Sequence, residues 1–376
     1  MMAKLTLKEK FAFRFIFNKT RVYQRWFGRY FVFGMDYGRL NRVVGRIPTW
    51  FHWCSEWSKE GEQVEELAEQ ALEQGRKVSA VALFHQAVAC YHIGQHIFFI
   101  DPEQKESAQA RARQCYRRAI ELYPDDTRPI RIEIPFEDTV IPGYLRRTAK
   151  PGQPLLIYVN GMHNIKEAEN HFFGNQMIEN GLNFFGFDGP GQGEMWKSKK
   201  FTPNYEKAVS SIIDWFDNND RYDLDLTRIG TAGFSLGGFL APWCAAHDRR
   251  ICCTVGNSGF ARIGGVEGAR KLNPIWQRGI QYMTGCDDFV EAVRRFDLDI
   301  TKAPPLDRPL LFFHAGRDEV MPSPKLQADT FMDWAKGEKE LKYSPEAEHC
   351  TVDRLDEVFP YIVDWLRNRL LEQSPR

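Results

Sequence analysis

The 376-residue chain sets 50 basic residues against 50 acidic ones, so no global field draws it to nucleic acid or an anionic membrane surface. At 43% hydrophobic and 27% charged it has the composition of a folded protein, long enough for one catalytic domain plus an accessory one. Its eight cysteines include no Cys-x-x-Cys pair, which points to free buried thiols in a reducing compartment.

The first fifty residues are basic (Arg14, Lys19, Arg21, Arg25, Arg29, Arg39, Arg42, Arg46), and an acidic run follows at Glu60, Glu62, Glu65, Glu66 and Glu69. That order suits helix-to-helix or subunit pairing rather than a nucleic-acid arm. Arg14 interrupts the apolar run Phe11 to Phe17, and no uncharged stretch approaches about 18 residues. Neither a signal peptide nor a membrane span is expected, and the expected location is cytoplasmic.

Residues 1–127 read as helical. Val64, Leu67, Ala68, Ala71 and Leu72 recur at three- and four-residue steps, as one buried helix face requires. A second helix carries Ala80, Phe84, Ala87, Val88 and Tyr91, and a third runs from about Ser107 to Leu122, ending near Pro124. Trp50, Phe51, Trp53 and Trp57 are candidates for a roof over an active site, for a dimer contact, or for plain interhelix packing.

The pattern changes after Pro129. Ile130-Arg131-Ile132-Glu133-Ile134 alternates apolar and charged, and Val140 to Leu145 follows a Glu-Asp-Thr turn, which predicts an antiparallel edge hairpin. Short apolar runs then alternate with helical stretches: Leu155 to Val159, Phe184 to Phe187, Ile229 to Ala232, Cys252 to Val255 and Leu310 to Phe313. That alternation predicts a mostly parallel sheet covered on both faces, over residues 128–376. The segment 260–300 is too long for a simple crossover and is expected to cap the sheet. A helix over about Val352 to Leu371 closes the chain.

Gly233-Phe234-Ser235-Leu236-Gly237 ends a predicted strand and opens a predicted helix, the setting of a nucleophile elbow. The turn is so tight that side chains flanking the serine must be absent, and Gly238 permits a close helix–sheet approach. A serine hydroxyl needs a base to take its proton, and this fold supplies its partners in the order Ser, acid, His. Asp318 lies in the polar turn after the Leu310 to Phe313 strand, with its neighbour Glu319 as the rival acid. His349 lies in the loop before the final helix and is the base. For the oxyanion, backbone N–H groups are expected from Leu236 and, in the loop after the Leu155 to Val159 strand, from Met162. Gly161 lets that loop turn inward. His163 is a candidate substrate contact, with a solvated loop histidine as the alternative. Glu267, in a Gly-flanked stretch, is a candidate polar group in the roof. The loop Asp188-Gly189-Pro190-Gly191-Gln192-Gly193-Glu194 lacks both the P-loop ending and the dinucleotide fingerprint, so it reads as a structural loop supporting the nucleophile. No spacing suggests a metal ion or an organic cofactor.

Together these residues resemble one branch of the α/β-hydrolases. In it a helical region precedes the fold and Asp-Gly-Pro-Gly-Gln-Gly-Glu occurs before the elbow. The branch contains 2,6-dihydroxypseudooxynicotine hydrolase, the fungal polyketide-shortening hydrolases and the fermentation-respiration switch protein family. Gly161-Met162-His163-Asn164-Ile165-Lys166-Glu167 looks like the branch's oxyanion loop ending in Lys-Glu, and departs from it at Met162-His163. The resemblance implies a helical cap over the active site, a homodimer, and cleavage of carbon–carbon bonds beside a ketone (1,3-diketones, polyketides) or of esters. The expected substrate is bulky and largely apolar. An acyltransferase or cyclising lyase on the same fold is the second reading, and a non-catalytic regulatory binding protein the third.

Overall fold

A computed structural model describes residues 5–11, 13, 14, 26 and 28–372. Of the basic N-terminal residues, Lys19, Arg21 and Arg25 lie outside the described set. The chain divides into two compact units, residues 1–128 with 163–172 and residues 129–162 with 173–376.

The first unit is helical: α1 (Leu7–Phe11), α2 (Tyr37–Arg46), α3 (Trp53–Glu73), α4 (Lys77–Gln95) and α5 (Pro102–Glu121). Short loops make α3, α4 and α5 neighbours. Helix α5 begins five residues earlier than its apolar period suggests, because Asp101 caps it, accepting from the Gln104 N–H at 3.1 Å, with Pro102 in the first turn. The tryptophans serve packing. Trp50, Trp53 and Trp57 are buried, Trp50 stacks on Trp53, and the Trp53 indole N–H donates to the Ile93 carbonyl at 2.8 Å. The basic and acidic runs meet within the chain: Arg46 bonds Glu60 at 2.8 Å, and Arg39 pairs with Glu60. Farther along, Arg111 bonds Glu65 and Arg118 bonds Glu69.

The second unit is an eight-stranded sheet of order β1-β2-β4-β3-β5-β6-β7-β8. The hairpin β1 (Ile130–Phe136) and β2 (Thr139–Arg146) is antiparallel and β2 pairs antiparallel with β4, whereas all later pairings are parallel. The inner strands β3 (Gln153–Val159), β4 (Asn183–Phe187) and β7 (Leu310–Ala315) are buried at every position, which is why their sequences run apolar without alternation. Strands β5 (Leu224–Phe234) and β6 (Ile251–Asn257) are buried over their C-terminal halves. Strand β8 (Lys339–Ser344) escapes the apolar signal altogether. It is an edge strand, carries Lys339, Glu340 and Lys342, and is nowhere fully buried.

The connections supply α6 (Glu169–Glu179), α7 (Glu206–Asp217), α8 (Leu236–His247), α9 (Gly265–Arg270), α10 (Pro274–Thr284), α11 (Phe289–Arg295), α12 (Pro324–Trp334) and α13 (Leu355–Arg367). The first turn of α6 groups with the helical unit. Three of these helices, α9 to α11, fill the long segment before β7. Helix α13 starts three residues later than its apolar pattern, because a short 3-10 turn at His349–Thr351 precedes it. All eight cysteines are free thiols, seven of them buried. Among the described residues no helix is long and apolar enough to cross a membrane.

Candidate active site

Ser235 stands between β5 and α8 with φ 59° and ψ −122°, a left-handed conformation that a non-glycine residue adopts only under constraint. The constraint is backbone crowding. A Cβ at Gly237 would collide with the Val159 carbonyl oxygen, and one at Gly233 with the Gly237 carbonyl. Helix α8 therefore sits tightly against the sheet, and the Ser235 N–H donates to the Asn257 carbonyl at 2.8 Å.

The strand ends converge. His349 Nε2 lies 2.9 Å from Ser235 Oγ, and His349 Nδ1 lies 2.7 Å from Asp318 Oδ2. All three residues are buried. The second Asp318 oxygen, Oδ1, accepts from the Val320 N–H at 2.9 Å and the Met321 N–H at 3.1 Å, which pins the carboxylate plane. Burial pulls the His349 imidazole pKa down, but the Asp318 carboxylate and Cys350 together more than offset it, and the net shift from the ordinary value of 6.5 is upward.

Two residues that sequence reasoning passed over hold the histidine loop. Asn257 Nδ2 donates to Thr351 Oγ1 at 2.9 Å and the Cys350 carbonyl at 3.2 Å, while Ser258 Oγ accepts from the Cys350 N–H at 3.0 Å. The only sequence signal was a pair of polar residues at the end of an apolar strand.

Leu236 and Met162 are the residues expected to face an oxyanion. Leu236 opens α8, where its N–H has no carbonyl one turn earlier to bond. Met162 lies in the loop after β3. Gln192 Nε2 donates to the carbonyls of Asn160 at 2.8 Å and Gly161 at 3.0 Å, and Gln192 Oε1 accepts from Tyr205 Oη–H at 2.6 Å. Asn160 Nδ2 in turn donates to the Phe187 carbonyl and to Asp188 Oδ1. The glycine-rich 188–194 loop thus braces the loop after β3.

A cavity of about 530 Å³, including its part open to solvent, adjoins Ser235. Met162 and Leu236 line it with Phe260, Ile263, Leu272, Trp276, Ile280 and Phe296 from the 260–300 segment, and Val320, Met321 and Pro322 beyond Asp318. Arg262 and Gln327 complete the wall. Glu267 is exposed on α9 and is not among the lining residues. His163 belongs to the helical unit, buried with its ring 4.1 Å from that of His96. It is not a solvated loop histidine, because aromatic neighbours Trp26 and Phe99 also surround it.

One group of metal-ligand side chains comes together among the described residues. His92, His96 and Glu169, in the helical unit, place their donor atoms within 4.8 Å of one another. Arg29 already grips Glu169 through Nε and Nη2, each at 2.7 Å, and Asn164 bonds the same carboxylate. The guanidinium thus supplies the positive charge that a metal would bring.

The sheet order, the elbow and the placement of Ser235, Asp318 and His349 at strand ends decide the architecture. The chain is a hydrolase of α/β-hydrolase fold. No protein-family model matches it. A relative from Paenarthrobacter nicotinovorans, 2,6-dihydropseudooxynicotine hydrolase, is 27% identical over 86% of this chain and 86% of its own length. The α/β-hydrolase xenA of Xenoacremonium sinensis is 28% identical over 64% of this chain, a match spanning 59% of that protein. The 20-hydroxy-prefusarin hydrolase FUS2 of Gibberella moniliformis is 27% identical over 58% of this chain and 55% of its own length. In structure, the hydrolase is similar to the crystal structure of 2,6-dihydroxy-pseudo-oxynicotine hydrolase, with TM-score 0.81 and 25% identity over 93% of this chain and 98% of that one. AbyA5, at TM-score 0.66 and 16% identity over 90% of this chain and 93% of its own, shares the fold.

Proposed function

We propose that this hydrolase is a serine enzyme that cleaves a carbon–carbon bond beside a ketone, as in 1,3-diketones and polyketide-like chains, or an ester, through an acyl-enzyme. The observation that carries the reading is His349, hydrogen-bonded to Ser235 Oγ at 2.9 Å and to Asp318 at 2.7 Å. His349 takes the Ser235 proton as Oγ attacks a carbonyl carbon. The oxyanion is held by the N–H groups of Leu236 and Met162. Collapse breaks the bond to the neighbouring carbon, and His349 returns the proton to the departing enolate. Water, deprotonated by the same imidazole, then releases the acyl group as a carboxylic acid. An ester passes through identical steps with an alkoxide leaving. The names of the relatives favour the carbon–carbon reading, and the apolar cavity fits a bulky acyl part.

A fluorophosphonate probe should label the protein at Ser235, and Ser235→Ala should abolish the label. A 1,3-diketone should give a carboxylic acid and a ketone in equal amounts. Failure of both labelling and turnover would favour a binding protein. Acyl transfer to an added alcohol in preference to water would favour an acyltransferase. We further propose a homodimer in the cytoplasm acting without metal or organic cofactor. Sedimentation equilibrium giving the mass of one chain would overturn the dimer.

A further inference from the structure

The cavity wall beside Ser235 holds a single charged residue, Arg262. Around it the lining is Phe260, Leu272, Trp276, Ile280 and Phe296, with polar atoms otherwise supplied by Ser235 and Gln327. Gln327 is engaged in the wall itself. Its Oε1 accepts from the N–H groups of Ala261 at 2.7 Å and Arg262 at 3.2 Å, and its Nε2 donates to the Arg262 carbonyl at 3.3 Å. The Arg262 backbone also forms a bridge with Asp299, whose carboxylate accepts from Thr301 N at 3.0 Å and Thr301 Oγ1 at 2.7 Å. The main chain at Arg262 is therefore held on two sides.

No hydrogen bond or ion pair to its guanidinium is found among the described residues. Three other arginines of this unit are paired, Arg249 with Asp307 at 2.8 Å, Arg250 with Asp248 at 2.6 Å and Arg295 with Glu291 at 2.9 Å, whereas Arg270, outside the cavity, is exposed like Arg262. A guanidinium offers a planar fork of donors that matches a carboxylate bidentately, while its methylene stem packs against apolar surface. Arg262 is exposed, so water satisfies its guanidinium in the free protein, and a carboxylate at the end of a chain seated in the adjoining apolar cavity would complete such a pair.

We propose that Arg262 is an anion-binding residue of the substrate site, so that the hydrolase selects acyl substrates whose apolar chain ends in a carboxylate. This rests on the serine-hydrolase reading above. The apolar chain lies along Leu272, Trp276 and Ile280, its reactive carbonyl meets Ser235, and its terminal carboxylate pairs with Arg262. A neutral chain of equal length fills the same apolar wall and leaves the guanidinium to water.

The test compares p-nitrophenyl half-esters of straight-chain dicarboxylic acids with p-nitrophenyl alkanoates of matched length. Wild type should prefer a half-ester, and Arg262→Gln should lower the ratio of the two kcat/KM values by about tenfold or more, mainly through KM, as loss of a charge-assisted bond implies. Arg262→Lys should retain part of the preference. Arg270→Gln, an exposed arginine of α9 outside the cavity, should leave the ratio unchanged. A ratio unaltered in Arg262→Gln, or a wild type that prefers the neutral ester at every length, would overturn the proposal. Should neither ester turn over, binding of the saturated dicarboxylate monomethyl esters is read by thermal shift. Stabilisation of wild type but not of Arg262→Gln sustains the anion site while the hydrolase reading fails, and no difference between them sinks the anion site.

Discussion

Gln192 donates to the carbonyl of Gly161 at 3.0 Å, and this bond sets the direction of the Met162 N–H. In a trans peptide the C=O and N–H point to opposite sides, so a side chain that grips the Gly161 oxygen turns the next N–H the other way. Gln192 acts here as a positioning residue. Gln192→Ala should lower kcat by about tenfold to a hundredfold, short of the full loss of an oxyanion donor, with little change in KM. A thermal melt separates this from unfolding. Equal effects on kcat and KM, or none on either, would count against it.

Ser235→Ala should reduce turnover by at least about a hundredfold and leave the melting temperature close to wild type, since the smaller side chain fits the same elbow. Asp318→Asn should also cost heavily, because an amide at Oδ2 unsettles the tautomer of His349. Glu319→Gln should cost little. Steady-state kinetics giving the reverse ranking would move the acid to Glu319.

The pH dependence follows from His349. Burial lowers its pKa and Asp318 with Cys350 raises it by more, so the imidazole loses its proton above the ordinary value of 6.5. In the proposed mechanism His349 must be neutral to act as base, so kcat/KM should rise with pH along an acid limb centred above 6.5. Removing the charge in Asp318→Asn should move that limb down. The linkage to stability has the opposite sense: a raised pKa contributes stability that is fully present below the unfolded value and is lost as pH rises through the folded one. An acid limb in wild type centred below 6.5 would contradict this account of His349.

Asn257 and Ser258 should matter although neither reaches a substrate. Asn257→Leu removes the donors to Thr351 and the Cys350 carbonyl, and Ser258→Ala removes the acceptor for the Cys350 N–H. Ser258→Ala leaves the buried Cys350 N–H unsatisfied, at about 1–3 kcal/mol, whereas in Asn257→Leu the Thr351 hydroxyl still donates to the Cys350 carbonyl. Ser258→Ala is the gentler change and should lower kcat severalfold with a modest fall in melting temperature. A fully active Ser258→Ala protein would show that the histidine loop holds itself.

The candidate site was more legible in the sequence than the residues that brace it. Glycines at 233, 237 and 238 announced a turn with no room for side chains, and the backbone contacts at each of them give the reason. The apolar runs at β3, β4 and β7 were readable because both faces of those strands are buried. Strand β8 was not, since an edge strand carries charge on its open side and loses its apolar signature. The tryptophans at 50, 53 and 57 were compatible with roof, interface or packing, and only burial against one another decided for packing.

Local backbone chemistry, then, was determined by the sequence: a strand–turn–helix around Ser235, an acid and a histidine in the right chain order, and helices before the sheet. These depend on neighbours within a few residues, where glycine, proline and apolar period act directly. The tertiary structure decided which distant side chains meet. His349 lies 114 positions from Ser235 and 31 from Asp318, and Gln192 lies 31 from Gly161. Such meetings depend on the order of strands in the sheet and the path of each loop. A period along the chain encodes which face is buried, but it carries no information about which strand will lie beside it.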